Sequence, residues 1–141
     1  MRLQLALNVD DLDTAIDFYT KLFGEAPAKV KPGYANWAIE NPPLKLVIFE
    51  GAGEHGTINH LGVETETAEE VVAADRRMRE AGLQTTGIDE TQCCFAEKTE
   101  TWVDGADGHK WEFYVKYADV EQFVNISLGN KSDGGNACCA S

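Results

Sequence analysis

The chain has no apolar run approaching the ~20 residues that a helix needs to cross a bilayer, which excludes a membrane-spanning role. Met1 leads within two residues into an alternating stretch, without the charged, apolar and cleavage regions of a secretory signal. The expected compartment is therefore the cytoplasm. Basic residues are scarce, with 12 Lys and Arg against 24 Asp and Glu for a formal charge of -12. Such a surface repels phosphate backbones and anionic lipid, so neither nucleic acid nor a membrane is expected as a partner. The four cysteines form two neighbouring pairs, Cys93-Cys94 and Cys138-Cys139, with no CxxC and no zinc-finger spacing. Free thiols are expected in a reducing compartment.

What is present is enough for a core. Of the 141 residues, 43% are hydrophobic, and a single domain over residues 1–117 is expected. Leu3 to Val9 alternates strictly, the period of a strand, with leucines and Val9 on one face and Gln4, Ala6 and Asn8 on the other. Asp10 or Asp11 can cap a helix with apolar positions Leu12, Ala15, Ile16, Tyr19, Leu22 and Phe23, and Gly24 is placed to end it. Strands are predicted over residues 28–31, 34–39 and 44–49, separated by Pro32-Gly33 and Asn41-Pro42-Pro43.

After the Gly-rich break at residues 50–56 the order begins again. Asn59 to Glu64 alternates, Thr67 with Glu70 forms a capping box, and Val71, Ala74, Met78 and Ala81 line a helix stripe ended by Gly82. Strands are predicted at residues 83–88, 94–103 and 110–116. The pattern is βαβββ twice, in modules 1–50 and 57–117, an α+β architecture.

Overlaying the modules places Gln4 on His60 and Val47 on Glu112. From Gly24 to Val47 is 23 positions and from Gly82 to Glu112 is 30, so the second module carries seven more, in the region holding Cys93-Cys94. Strand parity sends His60, Gly62 and Glu64, and likewise Glu112 and Tyr114, to the concave side, away from the helices. Gln4, His60 and Glu112 can therefore converge. An amide oxygen, an imidazole and a carboxylate on three strands form a three-ligand site for a divalent metal with open positions. His55 and His109, beside glycine or aspartate, read as solvated loop residues.

The duplication with Gln4, His60 and Glu112 resembles the vicinal oxygen chelate superfamily, which includes glyoxalase I, bleomycin-resistance proteins, fosfomycin-resistance enzymes and extradiol dioxygenases. More narrowly, residues 5–9, 29–36, 59–63, Cys93-Cys94-Phe95-Ala96 and Trp111-Glu112 resemble the cadmium-induced proteins and the carbon–arsenic lyases, of the CadI and ArsI types. The resemblance implies a glyoxalase-like cavity and an oxygen-dependent enzyme that cleaves trivalent organoarsenicals. It implies Fe(II) as the metal, with Ni, Co, Mn or Zn as alternatives, and a homodimer. Thiolates Cys93 and Cys94 would bind the thiophilic arsenic and, with Glu112, carry the chemistry.

The chain departs from the lyase pattern at three places. Gln4 stands where a histidine is usual, although the cadmium-induced group shows glutamine; Gln92 replaces a threonine; and Lys98-Thr99-Glu100 replaces Gln-Asp-Lys. Two other functions stay open: a cadmium- or arsenite-binding resistance protein without turnover, and a glyoxalase-like or glutathione-conjugating metalloenzyme, against which Val47, in place of a second carboxylate, counts. Strict strand alternation would point the Cys93 and Cys94 sulfurs apart, so a shared role requires a loop or bulge at Gln92-Cys93. Residues 118–128 can add a short helix, and the Gly- and Asn-rich stretch beyond has too little apolar content to order itself. A flexible tail over 118–141 is expected, with Cys138 and Cys139 as accessory thiols.

Overall fold

The computed structural model describes residues 1–93, 96–119 and 126–127, and for Cys93, Ile126 and Ser127 the backbone alone. β1 (Arg2–Val9) leads to α1 (Leu12–Phe23), whose N-terminus is capped by the Asp11 carboxylate accepting from Thr14 N at 2.9 Å. Gly24, at φ 71°, closes the helix in the left-handed region where glycine is not penalised. Leu12, Ala15, Ile16, Tyr19 and Phe23 pack on a core of Ala35, Trp37, Ile39, Leu46 and Ile48, as the periodicity predicts. Leu22 is 57% exposed, a correction to the predicted stripe, because the helix turns Tyr19 and Phe23, four residues apart, to the core and Leu22 to their flank.

β2 (Lys29–Lys31) and β3 (Tyr34–Ile39) form a hairpin, and β4 (Leu44–Glu50) returns parallel to β1. β5 (Ile58–Glu64) opens the second module and leads to α2 (Ala68–Glu80), with the Thr67 and Glu70 capping box in place. Val71, Ala74 and Met78 are buried as expected, but Ala81 is exposed at the C-cap and Asp75 is the fourth buried position. Asp75 is accommodated because Thr85 and Thr101 hydroxyls donate to it at 2.5 and 2.9 Å and Arg79 pairs with it at 3.0 Å.

β6 (Asp89–Cys93), β7 (Ala96–Asp104), β8 (Lys110–Asp119) and the two-residue β9 (Ile126–Ser127) complete one sheet of order β2-β3-β4-β1-β5-β8-β7-β6-β9. β1 and β5 meet antiparallel at its centre, each with a parallel neighbour outside it, β4 and β8. The two βαβββ modules thus lie side by side about a local twofold, and the mixed sheet curls into a half-barrel with two helices, an α+β fold.

The strand predicted over residues 83–88 is not formed. That segment touches β7 through a single bridge, Thr85 to Val103, because Gly82 and Gly87 take positive φ and Leu83 and Ile88 stay exposed. Of the strand predicted over residues 94–103, β7 carries the part from Ala96 on, and residues 94 and 95 lie outside the described residues. The seven extra positions go mainly into the hairpin: β6 and β7 have 5 and 9 residues where β2 and β3 have 3 and 6. Pairing is regular through Gln92↔Glu97 and Cys93↔Ala96, so no bulge interrupts Gln92-Cys93. Cys93↔Ala96 is instead the counterpart of Lys31↔Tyr34, the last pair before the turn of the first hairpin. β8 runs past Tyr117 to Asp119, and Ile126–Ser127 pairs with β6 as strand, where a short helix was predicted.

Candidate metal centre and its cavity

The concave face of the sheet holds a cavity of about 40 Å³, partly open to solvent, lined by residues of both modules. Gln4, His60 and Glu112 meet at its closed end. Gln4 Nε2 lies 2.7 Å from His60 Nε2 and 3.3 Å from Glu112 Oε2, and the last two atoms are 3.5 Å apart. All three side chains are buried. Neighbouring ligands at right angles around an ion with ~2.1 Å bonds stand about 3 Å apart, so this spacing fits one divalent cation. Among the described residues no three His, Cys, Asp or Glu gather to hold a metal. Three ligands are reached here by counting the Gln4 amide, whose carbonyl takes the place of its NH2 when the group is turned over.

Local backbone features make this convergence possible. Gly62 pairs with Gln4 in β1 and Glu112 in β8, and a Cβ placed on it would lie 3.0 Å from the Glu112 carbonyl and 3.5 Å from the Cβ of Gln4 and of Glu112. The missing side chain leaves room for the two flanking side chains, Gln4 and Glu112. Between β1 and β5 the register steps from Ala6↔His60 to Leu7↔Ile58, which makes Asn59 a bulge residue. The bulge brings Asn59 beside His60 rather than behind it. His60 Nδ1 donates to Asn59 Oδ1 at 2.7 Å, Asn59 Nδ2 donates to Asn8 Oδ1 at 3.0 Å, and Asn8 Nδ2 donates to Thr57 Oγ1 at 2.9 Å. With its proton on Nδ1, the imidazole turns the Nε2 lone pair to the centre, the form a metal ligand requires.

Sequence reading did not place Lys98 here. Its ammonium contacts Glu112 Oε1 and lies 2.6 Å from Glu100 Oε2, over the rings of Trp102 and Tyr114 at 5.8 and 5.3 Å. One oxygen of Glu112 is thus taken by Lys98, and the other, Oε2, faces Gln4 and His60. Burial disfavours the Glu112 anion, but the Lys98 charge and His60 outweigh it and hold the carboxyl well below its usual range. Burial would lower the Lys98 ammonium, and the two carboxylates instead raise it. Glu100 is pushed up to about 7 by burial, with Lys98 opposing and Glu112 adding to the rise. The strand period alone places Lys98, Glu100 and Trp102 on one face of β7; what parity could not give is that the face is enclosed.

Tyr114 and Val47 line the cavity, as the overlay and parity predict. His55 and His109 are exposed. Cys93 lies, by its backbone, opposite Ala96, and Ala96 lines the same cavity as Gln4, His60 and Glu112. Cys94, Cys138 and Cys139 lie outside the described residues.

Residues 3–113 match the model of the Glyoxalase/Bleomycin resistance protein/Dioxygenase superfamily. The chain is 51% identical over 140 residues to the cadmium-induced protein CadI of Mycobacterium tuberculosis, covering 98% of this chain and 92% of that one. It is 50% identical over 139 residues to a trivalent organoarsenical cleaving enzyme of Thermomonospora curvata, covering 98% and 87%. In fold it is similar to the Mn(II)-bound glyoxalase of Novosphingobium aromaticivorans, with TM-score 0.60 at 14% identity over 84% of this chain and 40% of that one.

Proposed function

Since the chain belongs to the glyoxalase/bleomycin resistance protein/dioxygenase superfamily, we propose that it is a metal-dependent enzyme that cleaves the carbon–arsenic bond of trivalent organoarsenicals and releases arsenite. One observation carries the reading: the Gln4, His60 and Glu112 cluster and Ala96, the strand partner of Cys93, border the same cavity. The relative named a trivalent organoarsenical cleaving enzyme supports it.

Gln4, His60 and Glu112 would hold the metal, Fe(II) in this proposal, through one amide oxygen, one imidazole nitrogen and one carboxylate oxygen. When bound, the metal supplies the activation of dioxygen. The protein supplies geometry and charge. Asn59 keeps the His60 proton on Nδ1, and Lys98 keeps Glu112 ionised. Cys93 and Cys94 thiolates would take the arsenic, which removes the entropy cost of bringing substrate to the metal, worth roughly 7 kcal/mol at best. Tyr34 and Phe49, in edge contact at 5.4 Å, give the cavity an apolar aromatic wall for the carbon substituent.

The test is anaerobic reconstitution of the purified chain with ferrous iron, followed by methylarsonous acid and oxygen, with arsenite measured by chromatography. Arsenite release that is lost in Cys93→Ser and Glu112→Gln is the expected result. The 51% identity to a protein named as cadmium-induced favours a second reading, capture of cadmium or arsenite without turnover. Stoichiometric, Cys93-dependent binding with no arsenite released would select it and reject the lyase.

A further inference from the structure

In a chain of formal charge -12, the described residues that line the cavity include four lysines, Lys29, Lys45, Lys98 and Lys116, and one carboxylate, Glu112. Three of these cations already have anions. Lys98 serves Glu112 and Glu100, while Lys29 and Lys116 both reach Asp119, at 2.5 and 2.6 Å. Lys45 is different. It is 8% exposed, and its hydrogen bond is to a neutral amide, Asn36 Oδ1, at 3.3 Å. Among the described residues it forms no ion pair. Glu64, which acts on it at longer range, is engaged by the Arg2 guanidinium at 3.1 and 3.2 Å and by the Tyr114 hydroxyl at 3.2 Å.

A buried ammonium with no anion is costly, and proteins retain one where a ligand completes it. Lys45 stands in β4 at the register position of Gln4 in β1, so it adjoins the candidate metal ligands, one strand away. Adjacent strands are about 4.8 Å apart, so a small molecule can span both. The same space has aromatic surface from Tyr34, Phe49 and Tyr114. Cation, amide and aromatic wall together fit one chemical class.

We propose that Lys45, with Asn36, forms a subsite for the acidic group of a small aromatic anion, so that the preferred organoarsenical carries a carboxylate or phenolate on its ring. This proposal rests on the lyase reading for the arsenic and on the cavity alone for the acid. Burial lowers the ammonium of Lys45 to about 8, with Glu64 opposing and Lys116, Arg2 and Lys29 adding to the fall, and a bound anion acts in the direction of Glu64.

The experiment uses benzoate and its uncharged isostere benzamide on the metal-free full-length chain, with affinity read by isothermal titration calorimetry and amide chemical shifts. Benzoate is expected to bind at least tenfold more tightly than benzamide, to weaken as sodium chloride rises, and to lose at least tenfold in affinity in Lys45→Met. Lys45→Arg is expected to recover most of the loss. Lys45→Gln substitutes for the methionine variant if circular dichroism shows that the latter does not fold. Equal affinity for benzoate and benzamide, or unchanged benzoate affinity without the Lys45 charge, overturns the subsite. Inorganic phosphate binding more tightly than benzoate overturns its assignment to an organic acid. This arm requires no turnover, so it stands if arsenite is never released, and its failure leaves the lyase reading intact.

Discussion

Asn59 and His60 are consecutive residues of one strand, yet His60 Nδ1 donates to Asn59 Oδ1 at 2.7 Å. Alternation would send the two side chains to opposite faces, and the register step at Asn59 is what brings them together. The bond fixes the imidazole tautomer. Asn59→Leu is expected to weaken divalent metal binding about 10- to 100-fold, the usual cost of losing such a partner. Titration of Co(II) by its visible absorption measures this, and an unchanged dissociation constant would show that His60 needs no such support.

Gly62 sits between Gln4 and Glu112, and its face is full. A methyl group there meets the Glu112 carbonyl at 3.0 Å and both flanking Cβ atoms at 3.5 Å. Gly62→Ala is expected to spread the two ligands and lower Mn(II) affinity about tenfold, while costing about 1–3 kcal/mol of stability through overpacking. Paramagnetic relaxation by Mn(II) and urea unfolding report the two effects separately. Wild-type affinity in a folded Gly62→Ala protein would contradict this account.

Lys98 is the cation between two buried carboxylates. Lys98→Met leaves Glu112 and Glu100 facing each other, and the metal-free protein is expected to lose about 3–5 kcal/mol of stability. A divalent ion then replaces the missing charge. Added Mn(II) should therefore raise the unfolding temperature more in the variant than in the wild type, by differential scanning calorimetry. Equal shifts in the two proteins would mean that Lys98 and the ion do not share Glu112.

Glu100 makes stability depend on pH in a definable direction. Its carboxyl is raised from 4.5 to about 7, first by burial and then by Glu112, against the pull of Lys98. The folded state therefore holds a proton that the unfolded state has released, and the contribution of Glu100 falls as pH rises through that window. Glu112 is shifted down, so its contribution is present above the ordinary value and is lost at lower pH. In Glu100→Gln the decline disappears: relative to wild type, the metal-free variant is expected to gain about 1–3 kcal/mol between pH 4.5 and 7.5. Urea midpoints across that range that run parallel for the two proteins would sink the assignment.

The first module was legible almost residue by residue. Strict alternation from Leu3 to Val9, the Asp11 cap, the Gly24 stop and the Pro32-Gly33 turn are local signals, and local hydrogen bonds and backbone torsions realise them. The second module was less legible between Gly82 and Ala96. There Thr85 and Thr86 hydroxyls, bonded to Asp75 and to Trp102 N, replace a strand ladder, and the strand falls on the more polar Asp89–Cys93. A propensity reading favours the apolar segment; the tertiary partner decided otherwise.

By itself the sequence determined the duplication, the period of each strand and the overlay of Gln4 on His60, because alternation is a property of the chain and needs no partner. That period also put Glu112 and Tyr114 on the concave face. Only the tertiary structure decided that the face is enclosed, that a bulge turns Asn59 onto His60, that Lys98 is shared by two carboxylates and that Lys45, among the described residues, is left without one. Those outcomes depend on the curl of the sheet and on which charges burial brings within a few ångströms, and neither is encoded in the spacing of residues along one strand.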